Sequence, residues 1–181
     1  MRVEPQGLDG LALLRWDVAG DDRGSFSRIF CAQDLAAAGL SFAPVQASLS
    51  RNVAALTLRG LHFQTAPHGE AKIVTCLKGR IWDAAVDLRP QSPTFGAWRG
   101  FELAADTMAA LHIPTGFAHG FLTLEPDSEI LYLMDSPFVP SAGAGVRWDD
   151  PELAIAWPAR PETLSRADAA LPSLAELRRP R

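Results

Sequence analysis

The run Arg59-Gly-Leu-His62-Phe-Gln64, followed by Lys72 and then by Pro114-Thr-Gly116-Phe-Ala-His119-Gly120, gathers the residue types that chemistry needs. His62 is a potential base, because an imidazole titrates near neutral pH. Arg59, Lys72 and His119 are cations or can become so, and they suit anionic oxygens such as those of a phosphorylated small molecule. His62 and Lys72 share parity and flank the turn Ala66-Pro-His-Gly69. With Pro67 at the centre of a hairpin, they stand opposite each other on one face, since side chains alternate along a strand. Leu61, Phe63, Ile73 and Leu77 then take the other face, and so does Arg59 unless a bulge intervenes. Histidine and lysine on the inner face of a barrel are costly to bury without purpose. The competing reading is a solvated outer face.

The elements that must position these residues are strands. From residue 43 to 138 the pattern is one of short β-type runs. Turns separate them at Arg51-Asn52, Ala66–Gly69, Lys78-Gly79, Arg89-Pro90, Ala105-Asp106, Pro114–Gly116 and Pro126-Asp127. This rhythm predicts an all-β jelly-roll barrel or sandwich. Residues 1–20 read as a starting strand and Ser25–Phe30 as another after the turn Asp21–Gly24. Gln33–Gly39 reads as a short helix stopped by glycine. After Pro151 the chain is proline-rich, with a helical turn near Ala167 and another from Leu174 to Arg178.

The chain has 181 residues, 48% of them hydrophobic and 21% charged, and carries a net charge of −4. That fits one domain spanning 1–181 and argues against a nucleic-acid-binding surface, which is usually basic. No apolar run approaches the length of a membrane span and the N-terminus has no signal core, so the expectation is a cytoplasmic protein without a membrane partner. Cys31 and Cys76 are too few for a disulfide framework and read as buried thiols.

Pro114-x-Gly116-x-x-His119 resembles the second motif of cupin barrels, in which a turn aims the histidine into the cavity. Most cupins add a His-x-His pair to bind metal, whereas position 64 here is Gln. A metal site would need His62 and His119 joined by His68 or His112, and the expectation is no metal. Tyr132, the only tyrosine, lies in the apolar strand Glu129–Met134, on the face shared by Ile130 and Met134. Which face that is, parity does not say. Asp168 reads by itself as a surface or capping aspartate.

Taken together, these residues resemble the dTDP-4-dehydrorhamnose 3,5-epimerase family. The resemblance runs through Asp22-Arg-Gly24, Phe26, Gln46, Leu58–Gln64, Lys72, Asp83–Arg89, Ser92–Gly96, Ile113–Phe121, Val146–Pro151, Leu164-Ser165 and Asp168. It implies a cupin-like jelly roll with short peripheral helices, acting as a homodimer with no cofactor. The implied substrate is a nucleotide-diphosphate 4-keto-6-deoxy sugar, inverted at C3, C5 or both through an enolate. By resemblance His62 is the base supported by Asp168, Lys72 stabilises charge on O4, and Tyr132 is the acid across the sugar ring. Arg59, His119, Gln46 and Ser48 would bind substrate, as would Arg23, Phe26 and Arg28 from the N-terminal strand, with Arg23 and Phe26 acting across the dimer.

Five positions depart from the family pattern. Arg28 stands where Glu is usual, Ser48 where Asn is usual, Leu133 where Lys follows the tyrosine, and Pro137-Phe138 where a tyrosine pair is usual. These leave base, sugar and regiochemistry open. Competing readings are a sugar-nucleotide ketoisomerase, which needs no acid on the opposite face, and a non-catalytic or metal-dependent cupin that binds a sugar nucleotide.

Overall fold

Alternation at period two carries through most of the chain, and in the computed structural model, which describes residues 1–179, those runs are strands. In order they are β1 (Arg2–Pro5), β2 (Ala12–Arg15), β3 (Val18–Asp21), β4 (Gly24–Ser27), β5 (Gln46–Asn52), β6 (Thr57–Gln64) and β7 (Lys72–Lys78). Then come β8 (Arg80–Asp87), β9 (Trp98–Ala104), β10 (Ala109–Ile113), β11 (Phe117–Thr123), β12 (Ser128–Met134), β13 (Gly143–Gly145) and β14 (Thr163–Leu164). Helices α1 (Ala32–Ala37), α2 (Arg166–Ala169) and α3 (Leu174–Leu177) are short and peripheral.

Two antiparallel sheets form a jelly roll. One has the order β1-β2-β10-β7-β12-β5; the other has the order β13-β6-β11-β8-β9, with β14 parallel beside β6. Their facing sides share an apolar core at one end, built from Leu13, Val74, Cys76, Ile81, Ala85, Leu111, Phe117, Phe121 and Ile130. The intervening residues point outward and are covered in turn. Leu14, Ile73 and Ala110 lie under Leu35 of α1 and Phe42. Ala84, Val86 and Ala118 lie under Leu153, Trp157 and Leu174 of the C-terminal segment. With both faces of each sheet covered, strand register is strongly fixed, because a one-residue slip would move each apolar set to the wrong layer.

Several expectations change. β6 and β7 are not a hairpin: β6 pairs with β11 and β13, and β7 with β10 and β12, so residues 65–71 cross from one sheet to the other. Arg51-Asn52 is no turn. β5 continues through it because the Asn52 amide, buried, donates to the Ser128 carbonyl. The strand expected to reach Phe30 ends at Ser27, and residues 1–20 hold β1, β2 and most of β3 rather than a single strand. Cys76 is buried as expected, whereas Cys31 is only half-buried. Among the described residues no helix is long and apolar enough to cross a membrane.

Candidate active site

At the end of the sandwich away from the apolar core the facing sides diverge around a cavity of about 830 Å³. Its second-sheet wall depends on an irregularity in β6. From Arg59 to His62 that strand advances three positions, where its neighbour β11 advances two, from Phe121 back to His119. The extra residue is a β-bulge, and it lets Arg59 and His62, of opposite parity, both face the cavity. Glycine is required there. Gly60 has φ +121°, and a Cβ would lie 2.6 Å from the Gly120 Cα. The guanidinium of Arg59 is aimed by Asn52, whose side-chain oxygen accepts from Nε at 2.7 Å.

Asp168 reaches His62 from 106 positions later in the chain. The two-residue strand β14 runs parallel to the start of β6, and Ser165 then caps α2 by accepting from the backbone N–H of Asp168. The Asp168 carboxylate, nearly buried, lies 2.6 Å from His62 Nε2, while about half of the His62 side chain is open to the cavity. With Nε2–H donated to this acceptor, Nδ1 carries the lone pair, which is the tautomer a base requires.

The opposite wall comes from the first sheet. Lys72, Tyr132, Met134, Gln46, Ser48 and Ser50 all line the cavity, and register explains why. Met134 pairs with Lys72 on one side and Gln46 on the other, and Tyr132 with Val74 and Ser48. Tyr132 therefore faces inward. Loss of surrounding water pushes its phenol well above the ordinary range, the Asp83 carboxylate adds to this, and Arg59 opposes it. The hydroxyl stays protonated at neutral pH and can donate.

His119, on β11 of the second-sheet wall, is aimed by the expected turn. Gly116 has φ +86°, and the Phe117 N–H closes on the Pro114 carbonyl at 3.3 Å. His119 is opposite His62 in the β6–β11 ladder and edge-on to Tyr132, with ring centroids 5.9 Å apart. Its Nε2 meets buried Asp83 at 2.8 Å, and the second Asp83 oxygen has no partner. The cavity thus carries two carboxylate–imidazole pairs, an arginine and a lysine. The other histidines do not converge on it. His112 is buried on the outer side of the first sheet, bonded to the Gly10 carbonyl, and His68 lies in the crossing loop. Among the described residues no group of three metal-ligating side chains forms.

The cavity thus brings together His62, Asp168, Tyr132, Lys72, Arg59, His119, Gln46 and Ser48. Arg23 and Phe26 lie elsewhere, in a shallow depression of the β3–β4 ribbon, where Arg23 is engaged by Asp21. Arg28 is exposed beyond β4 and does not line the cavity. Sequence reasoning missed Glu70, Ser50, Asn52 and Asp83 as site residues. Glu70 lies just before β7, in the crossing loop, where alternation gives no direction. Ser50 and Asn52 are marked by nothing local, and Asp83 stood out only as the head of the run Asp83–Arg89 in the family resemblance.

Comparison with known proteins agrees with this geometry. The family model for dTDP-4-dehydrorhamnose 3,5-epimerase matches residues 5–176. A protein of that name from Sinorhizobium fredii is 41% identical over 98% of this chain and 91% of its own length. A dTDP-4-dehydrorhamnose 3-epimerase from Streptomyces niveus is 37% identical over 98% of this chain and 86% of its own. The crystal structure of the Bacillus anthracis 3,5-epimerase, with TDP and PPi bound, superposes with a TM-score of 0.93 at 40% identity, covering 96% of this chain and 99% of that one. With its jelly roll, its paired imidazoles and likeness over nearly its full length, the chain belongs to the dTDP-4-dehydrorhamnose 3,5-epimerase family and is an isomerase.

Proposed function

We propose that residues 1–181 form one domain that epimerises a nucleotide-diphosphate 4-keto-6-deoxy sugar at C3, C5 or both, without metal or organic cofactor, as a cytoplasmic homodimer. One observation carries this reading: the candidate base His62 and the candidate acid Tyr132 enter the cavity from opposite sheets. A sugar ring between them can lose a proton to one wall and regain it from the other, and that inverts a carbon centre.

A C4 carbonyl acidifies the hydrogens on C3 and C5. His62 Nδ1 takes one, and Asp168 steadies the imidazolium that forms. The electron pair moves onto O4, where the Lys72 ammonium offsets the negative charge in a cavity partly closed to water. Tyr132 returns a proton to the opposite face of the same carbon, and reprotonation of Tyr132 with release from His62 resets the site. Arg59 and His119 hold polar or phosphate oxygens, Gln46 and Ser48 hold the rest of the substrate, and Arg23 and Phe26 do so from the exposed β3–β4 ribbon of a partner subunit. Arg28, exposed near that ribbon, is read as a contact to the nucleotide.

Incubation with dTDP-, UDP-, GDP- and CDP-linked 4-keto sugars in heavy water tests this. Deuterium at C3 alone, at C5 alone or at both reports regiochemistry together with substrate. His62→Ala should abolish exchange, whereas Tyr132→Phe should cut net inversion and leave some base-side exchange. Complete and equal loss of exchange in both variants would contradict a two-faced site.

A further inference from the structure

Lys72 is one of only two lysines in the chain, against fifteen arginines. An ammonium on a four-carbon stem is a compact point charge, but the free side chain gives up rotamer entropy when fixed. Something must hold it if its charge is to meet one oxygen. In this protein the holding group is Glu70, two positions earlier, at the end of the crossing loop. Its Oε1 lies 3.0 Å from Lys72 Nζ, and both side chains are about nine-tenths buried. The other carboxylate oxygen, Oε2, accepts from the Gln64 amide at 3.1 Å.

Gln64 is itself fixed by the fold. It ends β6 on the opposite sheet, it is buried, and its side-chain oxygen accepts from the Val139 N–H at 2.6 Å. Its amide nitrogen is also within hydrogen-bond distance of the His68 and Pro137 carbonyls. The line Gln64–Glu70–Lys72 therefore spans from one sheet to the other at the cavity wall. It ties the crossing loop and the 137–139 segment to the lysine. Glu70 uses one of the three ammonium donors, which leaves two for a substrate oxygen.

We infer that Glu70 is a positioning residue for the reaction: held by Gln64, it fixes the Lys72 ammonium against the cavity wall at the place where enolate charge develops. The role of Lys72 is that of the proposed function above; what is added is the carboxylate that aims it. Misplacement of a charge-stabilising group by about 1 Å can cost roughly a hundredfold in rate, so the loss should fall on kcat more than on KM.

Two measurements test this, and the first needs no substrate. With 15N-labelled lysine the protein gives two ammonium signals, from Lys72 and from exposed Lys78, assigned with Lys72→Arg. Lys72 should be the rigid, slowly exchanging one, and Glu70→Ala should make it as mobile as Lys78. Equal mobility of the two lysines in the unsubstituted protein overturns the inference. The second is steady-state exchange in heavy water with dTDP-4-keto-6-deoxyglucose as the probe. Glu70→Ala should lower kcat roughly 10- to 100-fold with KM changed less than about threefold. Glu70→Gln keeps an acceptor oxygen at nearly the same size and should stay within about tenfold of the unsubstituted enzyme. Neither change should cost anything further in a Lys72→Met background. Unchanged kcat in Glu70→Ala, or an equal further loss without Lys72, overturns the inference. Should Lys72→Met itself exchange normally, the role given to Lys72 fails, while the ammonium signals still decide the pairing.

Discussion

The protonation state of a single hydroxyl separates an acid from a bystander. Tyr132 is held above the ordinary phenol range mainly by loss of water, with Asp83 adding and Arg59 opposing. A raised folded-state pKa means the unfolded chain releases this proton first. The contribution to stability is therefore complete below the unfolded value near pH 10 and is lost as pH rises through the folded value. Because the chain has one tyrosine, phenolate absorbance reads Tyr132 alone. In the folded protein it should stay absent at pH 10, while the denatured chain titrates near the ordinary value. A folded-state midpoint at or below 10 would remove the argument for Tyr132 as a standing proton donor.

Among the elements, the β8–β9 connection shows how far the chain goes to fix a turn. Asp87, fully buried at the end of β8, receives the Arg89 guanidinium through Nε at 2.9 Å and Nη2 at 2.7 Å, and the hydroxyls of Ser92 and Thr94 at 2.6 and 2.7 Å. Burial alone would raise its pKa. The Arg89 guanidinium, with the two hydroxyls and the Arg89 N–H, outweighs that and holds the carboxyl well below the usual range. Asp87→Asn should cost about 2–4 kcal/mol at neutral pH. The sign follows from the depressed value: the difference from the unsubstituted protein is full above the unfolded pKa near 4. It shrinks as pH falls toward the folded one. Denaturant melts at pH 7 and pH 3 check both parts, and a pH-independent gap would assign the loss to packing instead of charge. The Asp-x-Arg…Ser-x-Thr pattern was visible in the sequence as part of the family resemblance. Its convergence on one carboxylate was not, because only the turn folds Ser92 and Thr94 back onto Asp87.

At the scale of the whole molecule, the β3–β4 ribbon and β5 are among the places that expose apolar side chains. The β3–β4 ribbon is exposed along nearly its whole length, with Phe26 75% and Val18 48% accessible. β5 is an unpaired sheet edge, with Val45 just before it and Leu49 on it exposed. A homodimer would cover such surface, and light scattering should give about twice the 19.5 kDa chain mass. Phe26→Ala should then lower activity although Phe26 is absent from the cavity of its own chain. Mixing Phe26→Ala with inactive His62→Ala subunits should restore some activity, since one pocket of the mixed dimer has an intact ribbon and an intact base. No recovery at any mixing ratio would place Phe26 outside the partner's site.

Residue types and their order were enough to determine the jelly roll and the family, because period-two alternation and turn chemistry are local properties and the motifs keep their order. They also put His62 and Lys72 on a common interior, although the hairpin that argued for it does not exist: the two residues share the space between sheets. Three things waited for the tertiary structure. Alternation fixes which residues share a face but not which face is inside, so the direction of Tyr132 depended on the pairing of β12 between β7 and β5. A bulge is a mismatch between two strands, so Arg59 and His62 could be aligned only once β11 was alongside β6. Asp168 and Glu70 are ordinary carboxylates by local pattern, and only the family resemblance tied Asp168 to His62. Asp168 gains its meaning from His62, 106 positions away, and Glu70 from the Gln64 that holds it across the two sheets.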